Sequence, residues 1–404
     1  MKKALFLFLG IFCGLYANSL QEAIEKAAPY DTLKLSAGSY RGNIVITKPL
    51  TIIGNSSVIV GENKGSVITI KSDHVILENL TIQNSGQQKT SLDSGVKLLK
   101  SSFIQIKGCN FEDVLYGINI ELSHHIQIKN NTIRSIDSLS LPQKGNGIKI
   151  WYSHDILISD NKTLHVKNNA ISFSHHITLK NNHFKNTMFA IYFENSKNIS
   201  VERNIFQYNS SAIVSMGTYD LKITKNDILS STGAAGIGIV LGGGRKIMIN
   251  GNRIRYNAKA FYIDSQFKEQ GMQRFITKNE IAYNKEAFHF HQAIKNNTIE
   301  YNNIYGNISD VVKDTPNYLT ANNSVKYNYW DQYGGFDKDG DGVGDMPYKV
   351  YQYSDKLWHF NNKIKFFFAS PALSIINFLS KIAPFVPPNL LLEDEKPYMN
   401  LIKF

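Results

Sequence analysis

The sequence predicts an all-β fold, a right-handed parallel β-helix with a short capping helix at its N-terminus and a C-terminal extension. Three repeated features between Gly95 and Trp330 support this prediction: paired apolar residues, a serine before the second strand of each repeat, and an asparagine after it. Alternation with a period of two is typical of strands with one buried face. No repeat has a helical pattern long enough to add a helix.

Each repeat opens with a small residue and two apolar residues spaced by two, which predicts the first strand of a coil. Examples are Gly147-Ile148-x-Ile150, Ala170-Ile171-x-Phe173 and Ala190-Ile191-x-Phe193. The asparagines that close the repeats are mostly 21 to 27 residues apart. They are Asn131, Asn161, Asn182, Asn204, Asn226, Asn252, Asn279, Asn302 and Asn328.

Neighbouring parallel strands lie about 4.8 Å apart, so equal residues on successive coils are expected to form ladders. An asparagine tolerates left-handed backbone at a corner, and its amide can bond the next coil. The serines predict a second ladder: Ser72, Ser101, Ser123, Ser153, Ser174 and Ser196. Cys109 occupies an asparagine position, and we interpret it as a small buried residue, not a reactive thiol.

Residues 1–17 predict a cleavable signal peptide and export to the periplasm. A basic start precedes an apolar run from Ala4 to Leu15, and the small residue Ala17 follows. The run is too short to span a bilayer permanently. The formal net charge is +11; in an exported protein this charge favours membrane surfaces and acidic partners over nucleic acid. The alternative is a solvated basic surface with no target.

Residues 18–330 are predicted to form the solenoid and its N-terminal cap. Leu20, Ala23, Ile24 and Ala27 have helical spacing, and Pro29 ends the segment. A helix here would cover the apolar end and the free strand edge of the first coil. Three segments exceed the repeat length and are predicted to be surface loops: residues 84–93, 135–144 and 264–273.

Residues 331–361 contain a segment that is similar to a calcium loop, with aspartates at its first, third, fifth and ninth positions and glycine at its sixth. The residues predicted to hold a structural calcium are Asp337, Asp339, Asp341, Val343 (through its carbonyl) and Asp345. Tyr348 stands where the bidentate glutamate is expected, so Asp355 or water must complete the site. The alternative is an acidic turn held only by hydrogen bonds.

Residues 362–404 form a basic and apolar tail, and its apolar stretch of about a dozen residues is too short to cross a membrane. It can cover the C-terminal end of the solenoid or dock on a partner at the membrane surface. We favour docking. The residues predicted to dock are Phe366, Phe367, Phe368, Leu373, Ile376, Phe378 and Leu379.

A hydrolase on this fold needs two carboxylates that face each other across the scissile bond. The outward column of the first strands is predicted to contain no acid: it reads Asn119, Lys149, Ser172, Tyr192, Val214, Gly238, Tyr262 and His289. Glu121 and Glu194 share another column, but three coils separate them. The pattern therefore argues against a catalytic groove.

Histidines are better organised. His124, His154 and His175 stand two residues before successive second strands, followed by Lys197. One residue before the same strands stand His125, Asp155, His176 and Asn198. A stack of imidazoles at His124, His154 and His175 with Asp155 as ligand or orienting group can hold copper or zinc. The alternative is a solvated stack of corner residues. His289 and His291, on one face of a later strand, are a weaker candidate.

The chain resembles the NosD family over essentially its whole length after the signal peptide. The resemblance begins at residues 20–33 (LQEAIEKAAPYDTL), 37–41 (AGSYR) and 48–54 (KPLTIIG). It continues at residues 328–331 (NYWD), 337–348 (DKDGDGVGDMPY) and 370–373 (SPAL). The opening alone is shared by many β-helix proteins, but the three closing motifs make the resemblance specific.

The resemblance implies a periplasmic accessory protein that takes part in maturing nitrous oxide reductase. In that family the protein works with an ABC transporter and a copper chaperone in assembling a copper–sulfur centre, with no ligand motif to carry over. We therefore expect a non-catalytic scaffold that docks on the membrane subunit of the transporter. The alternative is a secreted polysaccharide lyase or hydrolase on the same fold.

Overall fold

The computed structural model describes residues 19–41, 43–233, 235–266, 271–315, 319–352, 361–367, 370–382 and 389–404. The predicted fold class is confirmed, because successive short strands pair in parallel as a right-handed β-solenoid. The chain divides into two compact units, Met1–Asn209 and Ser210–Phe404. Each coil has up to three strands, which we assign to a first, a second and a third face. The predicted signal peptide lies outside the described residues.

In the first unit the helix α1 spans Ser19–Lys26, and a 3-10 turn spans Leu141–Gln143. The strands of its first face are Ile44–Ile46, Ile68–Ile70, Ser94–Leu99, Tyr116–Glu121, Ile148–Trp151, Asn168–Ser172 and Phe189–Glu194. Those of its second face are Thr32–Lys34, Ser102–Lys107, His124–Lys129, His154–Ser159, His175–Lys180 and Lys197–Glu202. Those of its third face are Gly38–Arg41, Asn110–Val114, Thr132–Ser135, Lys162–Leu164, His183–Lys185 and Ile205–Gln207. Thr51–Val60 and Ile76–Gln83 run through the second face into the third.

In the second unit the first face contains Ser211–Met216, Ile237–Gly242, Lys259–Asp264, Glu286–His291 and Ser309–Lys313. The second face contains Tyr219–Thr224, Arg245–Asn250, Arg274–Thr277, Asn297–Glu300 and Ser324–Lys326. The third face contains Asp227–Leu229, Arg253–Arg255, Glu280–Ala282, Asn303–Tyr305 and Tyr329–Trp330. Ile294–Lys295 pairs with Thr320–Ala321, and Tyr348–Gln352 pairs antiparallel with Asn389–Asp394. The other elements are a 3-10 helix, Asn362–Phe367, and the helix α2, Pro371–Ile382.

The core of each unit consists of inward side chains stacked in columns. Ile126, Ile156 and Ile177 face one another in register and are buried. Phe261 and Phe288 stack in the second unit with ring centroids 5.2 Å apart. Each fully buried side chain of this size contributes roughly 1.5–3 kcal/mol, and its removal would leave a gap that neighbouring coils cannot fill.

The predicted asparagine ladder is present in both units. Asn182 donates from its backbone N–H and from Nδ2 to Oδ1 of Asn204, both at 2.9 Å, and from Nδ2 to the Ile158 carbonyl at 2.9 Å. The left-handed residue is not the ladder asparagine but the one before it, for example Asn181 with φ 55°. The corner therefore separates the two tasks, because the ladder amide must point inward while the preceding residue turns the chain.

The serine ladder and the interpretation of Cys109 are also confirmed. Ser123 accepts from the backbone N–H of Ser101 at 3.0 Å. The backbone N–H of Cys109 donates to Oδ1 of Asn131 at 2.8 Å. Burial raises the pKa of the Cys109 thiol to about 12, so the thiolate that reacts is not formed at neutral pH.

The predicted register of two first-face strands is wrong by two residues. In the second unit Val240, not Gly238, lies between Val214 and Tyr262 in the outward column. The other strand is in the first unit. Ile171 faces Ile150 and Phe193, whereas the motif comparison aligned it with Ile148 and Ile191. Asn169 takes the start of the strand, where its Oδ1 accepts from the Ile148 N–H at 3.0 Å. Phe173 moves to the corner, where its φ is 51° and its ring stacks on Tyr152 at 5.1 Å.

Both ends of the described solenoid are covered. Leu20 and Ile24 of α1 are buried, which confirms the predicted N-terminal cap. In the second unit Asp394 stands in the place of a further ladder asparagine: its Oδ2 accepts from Asn328 Nδ2 at 2.8 Å and from Trp330 Nε1 at 2.9 Å. Asn303 exchanges two hydrogen bonds of 2.9 Å with the backbone of Ile402. Residues 389–404 of the predicted docking tail are therefore packed on the second unit.

Loops of the first unit cover part of its first face. Leu115, Tyr116 and Ile136 form a small cluster with Leu92 and Leu139, which come from the predicted loops 84–93 and 135–144. The third predicted loop, 264–273, lies partly outside the described residues. Within the described ranges, no helix combines the length and apolar character needed to cross a bilayer.

Candidate functional site

The imidazole column lies at the start of the second-face strands of the first unit. His124, His154 and His175 face one another in parallel register. Their rings stack with centroids 4.9 Å and 4.8 Å apart and interplanar angles of 15° and 1°. Lys197 follows in the same column. The column exists because the coils return to the same place with a histidine at the same position.

A second column, one residue further along the chain, has left-handed backbone throughout. Its φ angles lie between 54° and 57° at Phe103, His125, Asp155, His176 and Asn198. Histidine, aspartate and asparagine are several-fold enriched in this conformation. The turn therefore explains why these residue types alternate here, and it places their side chains beside the stacked imidazoles.

The Asp155 carboxylate lies among three imidazoles, and we call Asp155, His125, His154 and His176 the Asp155 node. Its oxygens lie 2.9 Å from His154 Nδ1, 3.3 Å from His176 Nδ1 and 3.7 Å from His125 Nδ1. His175 Nδ1 lies 3.2 Å from His176 Nδ1. The hydrogen bond with His154, together with the nearby imidazoles, lowers the pKa of Asp155.

The donor set of the Asp155 node suits copper or zinc, which imidazole nitrogens bind readily. The stacked rings of His124, His154 and His175 have nearly parallel planes, so their in-plane lone pairs do not converge on one point. Around Asp155, by contrast, nitrogens from three coils approach one carboxylate. Asp155 and His154 of the predicted ligand set belong to this node, and His124 and His175 belong to the flanking stack. His125 and His176, which the predicted set did not include, also belong to the node.

An open groove of about 790 Å³ runs beside the node along the second face. Tyr30, His74 and Phe103 continue the left-handed edge of this groove, and the His74 and Phe103 rings stack at 4.8 Å. His125, Asp155 and His176 line the same groove. The node is thus accessible to a protein or small-molecule partner from one side.

The calcium-like loop brings three of its aspartates together. Asp337, Asp339 and Asp341 each place a carboxylate oxygen within 4.8 Å of the others. Asp337 accepts from the backbone N–H of Gly340 at 2.7 Å and of Gly342 at 2.8 Å. Asp345 instead accepts from Lys338 N–H at 2.6 Å, and the Val343 N–H donates to Asp341 at 2.7 Å.

Tyr348 does not complete the calcium-like site. Its ring packs on Trp330 at 5.1 Å, and its hydroxyl donates to Asp310 Oδ2 at 3.0 Å. Burial raises the pKa of this hydroxyl. The tyrosine therefore joins the loop to the solenoid end. Asp355, the alternative ligand, lies outside the described residues.

The predicted docking residues include exposed apolar side chains. Phe367, Ile376, Phe378 and Leu379 are 61%, 42%, 61% and 55% exposed. Phe366 lies in the 3-10 helix and Leu373 in α2, while Phe368 lies outside the described residues. The excursion that carries them starts and ends at the paired strands Tyr348–Gln352 and Asn389–Asp394.

On the described first face of the first unit, Glu121 and Glu194 do not form a facing pair. Glu121 and Glu194 share one column, as predicted, with Trp151 and Ser172 between them. Ser172 Oγ donates to Glu194 at 3.0 Å, which gives that carboxylate a structural partner.

These coils, with columns of side chains on an open face, define the chain as a right-handed β-helix protein. A family model described as "Right handed beta helix region" matches residues 40–163. The A-module of mannuronan C-5 epimerase AlgE6 from Azotobacter vinelandii is similar in structure, with a TM-score of 0.59, 13% identity and coverage of 78% of this chain and 94% of that chain. This likeness shows the fold alone.

The chain belongs to the NosD family. The family model described as "Periplasmic copper-binding protein (NosD)" matches residues 135–335. "Probable ABC transporter binding protein NosD" of Pseudomonas aeruginosa is 24% identical, with 90% of each chain covered. The protein of the same name from Stutzerimonas stutzeri is 23% identical, with 91% of this chain and 86% of that protein covered. The resemblance found in the sequence is confirmed.

Proposed function

We propose that this chain is a non-catalytic periplasmic scaffold that receives copper as cargo at the Asp155 node and works beside an ABC transporter. Its role in this proposal is to assist assembly of the copper–sulfur centre of nitrous oxide reductase, with copper supplied by a chaperone. The observation that carries the proposal is the node itself, in which three imidazoles surround one carboxylate on an open face.

The node supports transient binding better than permanent binding. Its histidines are half exposed, with His125 at 45% and His176 at 54% side-chain exposure. No protein layer encloses the described part of the groove, so a partner can approach the ligands directly. Asp155 carries the negative charge that offsets part of the charge of a bound copper ion, and it orients His154 through a 2.9 Å hydrogen bond.

Docking on the membrane subunit of the transporter is assigned to α2 and the aromatic residues before it. The described part of this excursion exposes several large apolar side chains and includes the basic residue Lys363. Apolar area rimmed by positive charge suits a partner at a membrane surface. The names of the relatives, which describe transporter binding, support this assignment.

The loop at Asp337, Asp339, Asp341, Val343 and Asp345 is proposed to bind a structural calcium ion. Oxygen ligands from three aspartates suit this hard cation. Its role is to hold the turn between the last third-face strand and the paired strands at the end of the second unit.

Copper binding is tested with the full chain and a copper(I)-chelating chromophore in anaerobic competition. Replacement of the node by His125→Asn, Asp155→Asn and His176→Asn keeps residues that tolerate left-handed backbone, as Asn198 does at φ 55°. We expect loss of one bound copper equivalent or at least a tenfold weaker affinity. His165→Asn is the matched control, because His165 also has left-handed backbone, at φ 52°, but lies at another corner.

Unchanged copper occupancy in the folded node variant would overturn the proposal. The second candidate function is a carbohydrate-active enzyme on the fold that the epimerase module shares. It predicts turnover of an acidic polysaccharide by the purified chain, whereas the scaffold proposal predicts none.

A further inference from the structure

The first face of the second unit carries a buried cluster of histidines and carboxylates that the proposed function does not use. His289 and His291 lie on one strand, two residues apart, so their side chains project from the same side of the sheet. Asp314 follows the neighbouring strand, which pairs with theirs in parallel. The two histidines and Asp314 come from neighbouring coils and meet only in the fold.

The Asp314 carboxylate reaches both imidazoles. Its Oδ2 lies 3.2 Å from His289 Nε2, and its Oδ1 lies 2.8 Å from His291 Nδ1. The other nitrogen of His289, Nδ1, lies 2.6 Å from Glu286 Oε2. A carboxylate on the far nitrogen fixes the orientation and the tautomer of a histidine whose near nitrogen binds a metal.

The cluster is enclosed and attracts positive charge. The His289 side chain is 7% exposed and that of Glu286 is 8% exposed, while His291 remains 28% exposed. The Glu286 and Asp314 carboxylates lie on opposite sides of the His289 ring. A cation is thus favoured between these carboxylates.

We propose that His289, His291 and Asp314 form a second metal site, for a divalent ion of the zinc and copper(II) class, with Glu286 as a positioning residue. Binding releases to solvent the proton of the hydrogen bond between His289 Nε2 and Asp314 Oδ2 and places the ion between these two atoms. Rotation of the partly exposed His291 ring brings its nitrogen toward the ion. Two imidazoles and a carboxylate suit these borderline ions better than calcium or magnesium.

Lys259 and Tyr262 complete the surroundings. Lys259 Nζ lies 3.6 Å from Glu286 and offsets part of the negative charge of that carboxylate. This ion pair lies on the side of His289 that does not face the metal. The Tyr262 ring stacks on His289 at 5.1 Å and restricts its movement. The site therefore has an enclosed ligand, His289, and a more exposed one, His291, at its edge.

The test uses the full chain in which the Asp155 node is already replaced by His125→Asn, Asp155→Asn and His176→Asn, with excess Ca²⁺ to occupy the acidic loop. Co²⁺ is the probe, because its visible absorption reports coordination by nitrogen and oxygen. We expect one Co²⁺ equivalent, displaced by Zn²⁺. His291→Ala and Asp314→Asn abolish it, and Glu286→Gln weakens it about 10- to 100-fold at unchanged stoichiometry.

His165→Asn serves as the control and should retain the Co²⁺ spectrum. Circular dichroism and thermal melting check the fold of each variant, and His291→Gln replaces His291→Ala if the latter does not fold. The proposal is overturned if the parent binds no Co²⁺, or if folded His291 and Asp314 variants bind it as the parent does. The proposal does not rest on copper at the Asp155 node, because that node is absent from every chain in this test.

Discussion

At the scale of the residue, the molecule is governed by what each corner position requires. A ladder asparagine needs an inward amide, and the residue before it needs left-handed backbone, as Asn182 and Asn181 show. The same rule acts at the Asp155 node, where histidine and aspartate fill left-handed positions. The proposed copper site thus lies on residue types that the left-handed turn already favours.

Asp394 provides a prediction at this scale. Burial raises its pKa, and its hydrogen bonds with Trp330 and Asn328 only partly offset that effect. Its stabilising contribution is therefore fully present below the unfolded value of about 3.9 and is lost as pH rises through the higher folded value. Asp394→Asn keeps a hydrogen-bond acceptor but does not ionise, so we expect it to remove this loss of stability. The thermal midpoint of the variant should therefore exceed that of the natural chain by more at neutral pH than at pH 4.

Asp394→Ala is the matched comparison. It leaves the Asn328 and Trp330 donors without an acceptor, which should cost at least about 2 kcal/mol in the free energy of unfolding. Equal thermal midpoints for the alanine and asparagine variants would show that the Asn ladder does not need its terminal acceptor.

The residue scale is also where sequence reasoning was least complete. It recognised the asparagine and serine ladders because identical residues recur. It did not recognise a further asparagine ladder of Asn257, Asn284 and Asn307, in which successive members are joined by hydrogen bonds of 2.9 Å. It misaligned Ile171 because apolar spacing alone does not reveal that Asn169 starts the strand. It did not place His125 and His176 beside Asp155 in one cluster, because their approach to the carboxylate depends on backbone conformation, which the order of residues does not show.

At the scale of the element, the acidic loop is expected to respond to calcium. Added Ca²⁺ at about 100 times the dissociation constant should stabilise the fold by about 2.7 kcal/mol, measured as a rise in the thermal midpoint. Asp339→Asn should abolish the rise, since it removes one of three converging carboxylates.

Glu395→Gln is the control for loss of negative charge near this end of the chain, because its side chain is exposed. An equal response to Ca²⁺ in the Asp339 and Glu395 variants would indicate an acidic turn held by hydrogen bonds alone.

The C-terminal tail consists of two elements with different expected roles. Replacement of residues 361–382 by a glycine–serine linker of equal length keeps the strand Asn389–Asp394 and its contacts with the solenoid. We expect an unchanged thermal midpoint and loss of the transporter membrane subunit in a pulldown. Truncation after residue 388 should instead lower the thermal midpoint, because it removes Asp394 and the strand.

Recovery of the membrane subunit with the linker variant would refute docking through α2. The sequence alone did not separate these roles. The spacing of apolar residues identified a helix-compatible segment. The strand Asn389–Asp394 that follows this segment is short, and its antiparallel partner lies 37 residues earlier in the chain, at the pair Gln352↔Asn389.

At the scale of the whole molecule, repetition explains why the fold class was predictable and the chemistry was less so. Every coil repeats the same burial pattern, so periodicity alone indicates a β-helix. The sites occupy single coils or neighbouring coils, where repetition is broken. The family relation agrees with this view, because the two relatives match about nine tenths of the chain at only 24% and 23% identity.

Crystals of the full chain loaded with copper, measured for anomalous scattering at the copper edge, test the central claim most directly. The account predicts a peak within bonding distance of the Asp155 carboxylate and of ring nitrogens among His125, His154 and His176. A map in which copper lies only elsewhere, for example at His289 and His291, would contradict this account. So would a map with no copper at the node from crystals whose chains carry their full amount of bound copper.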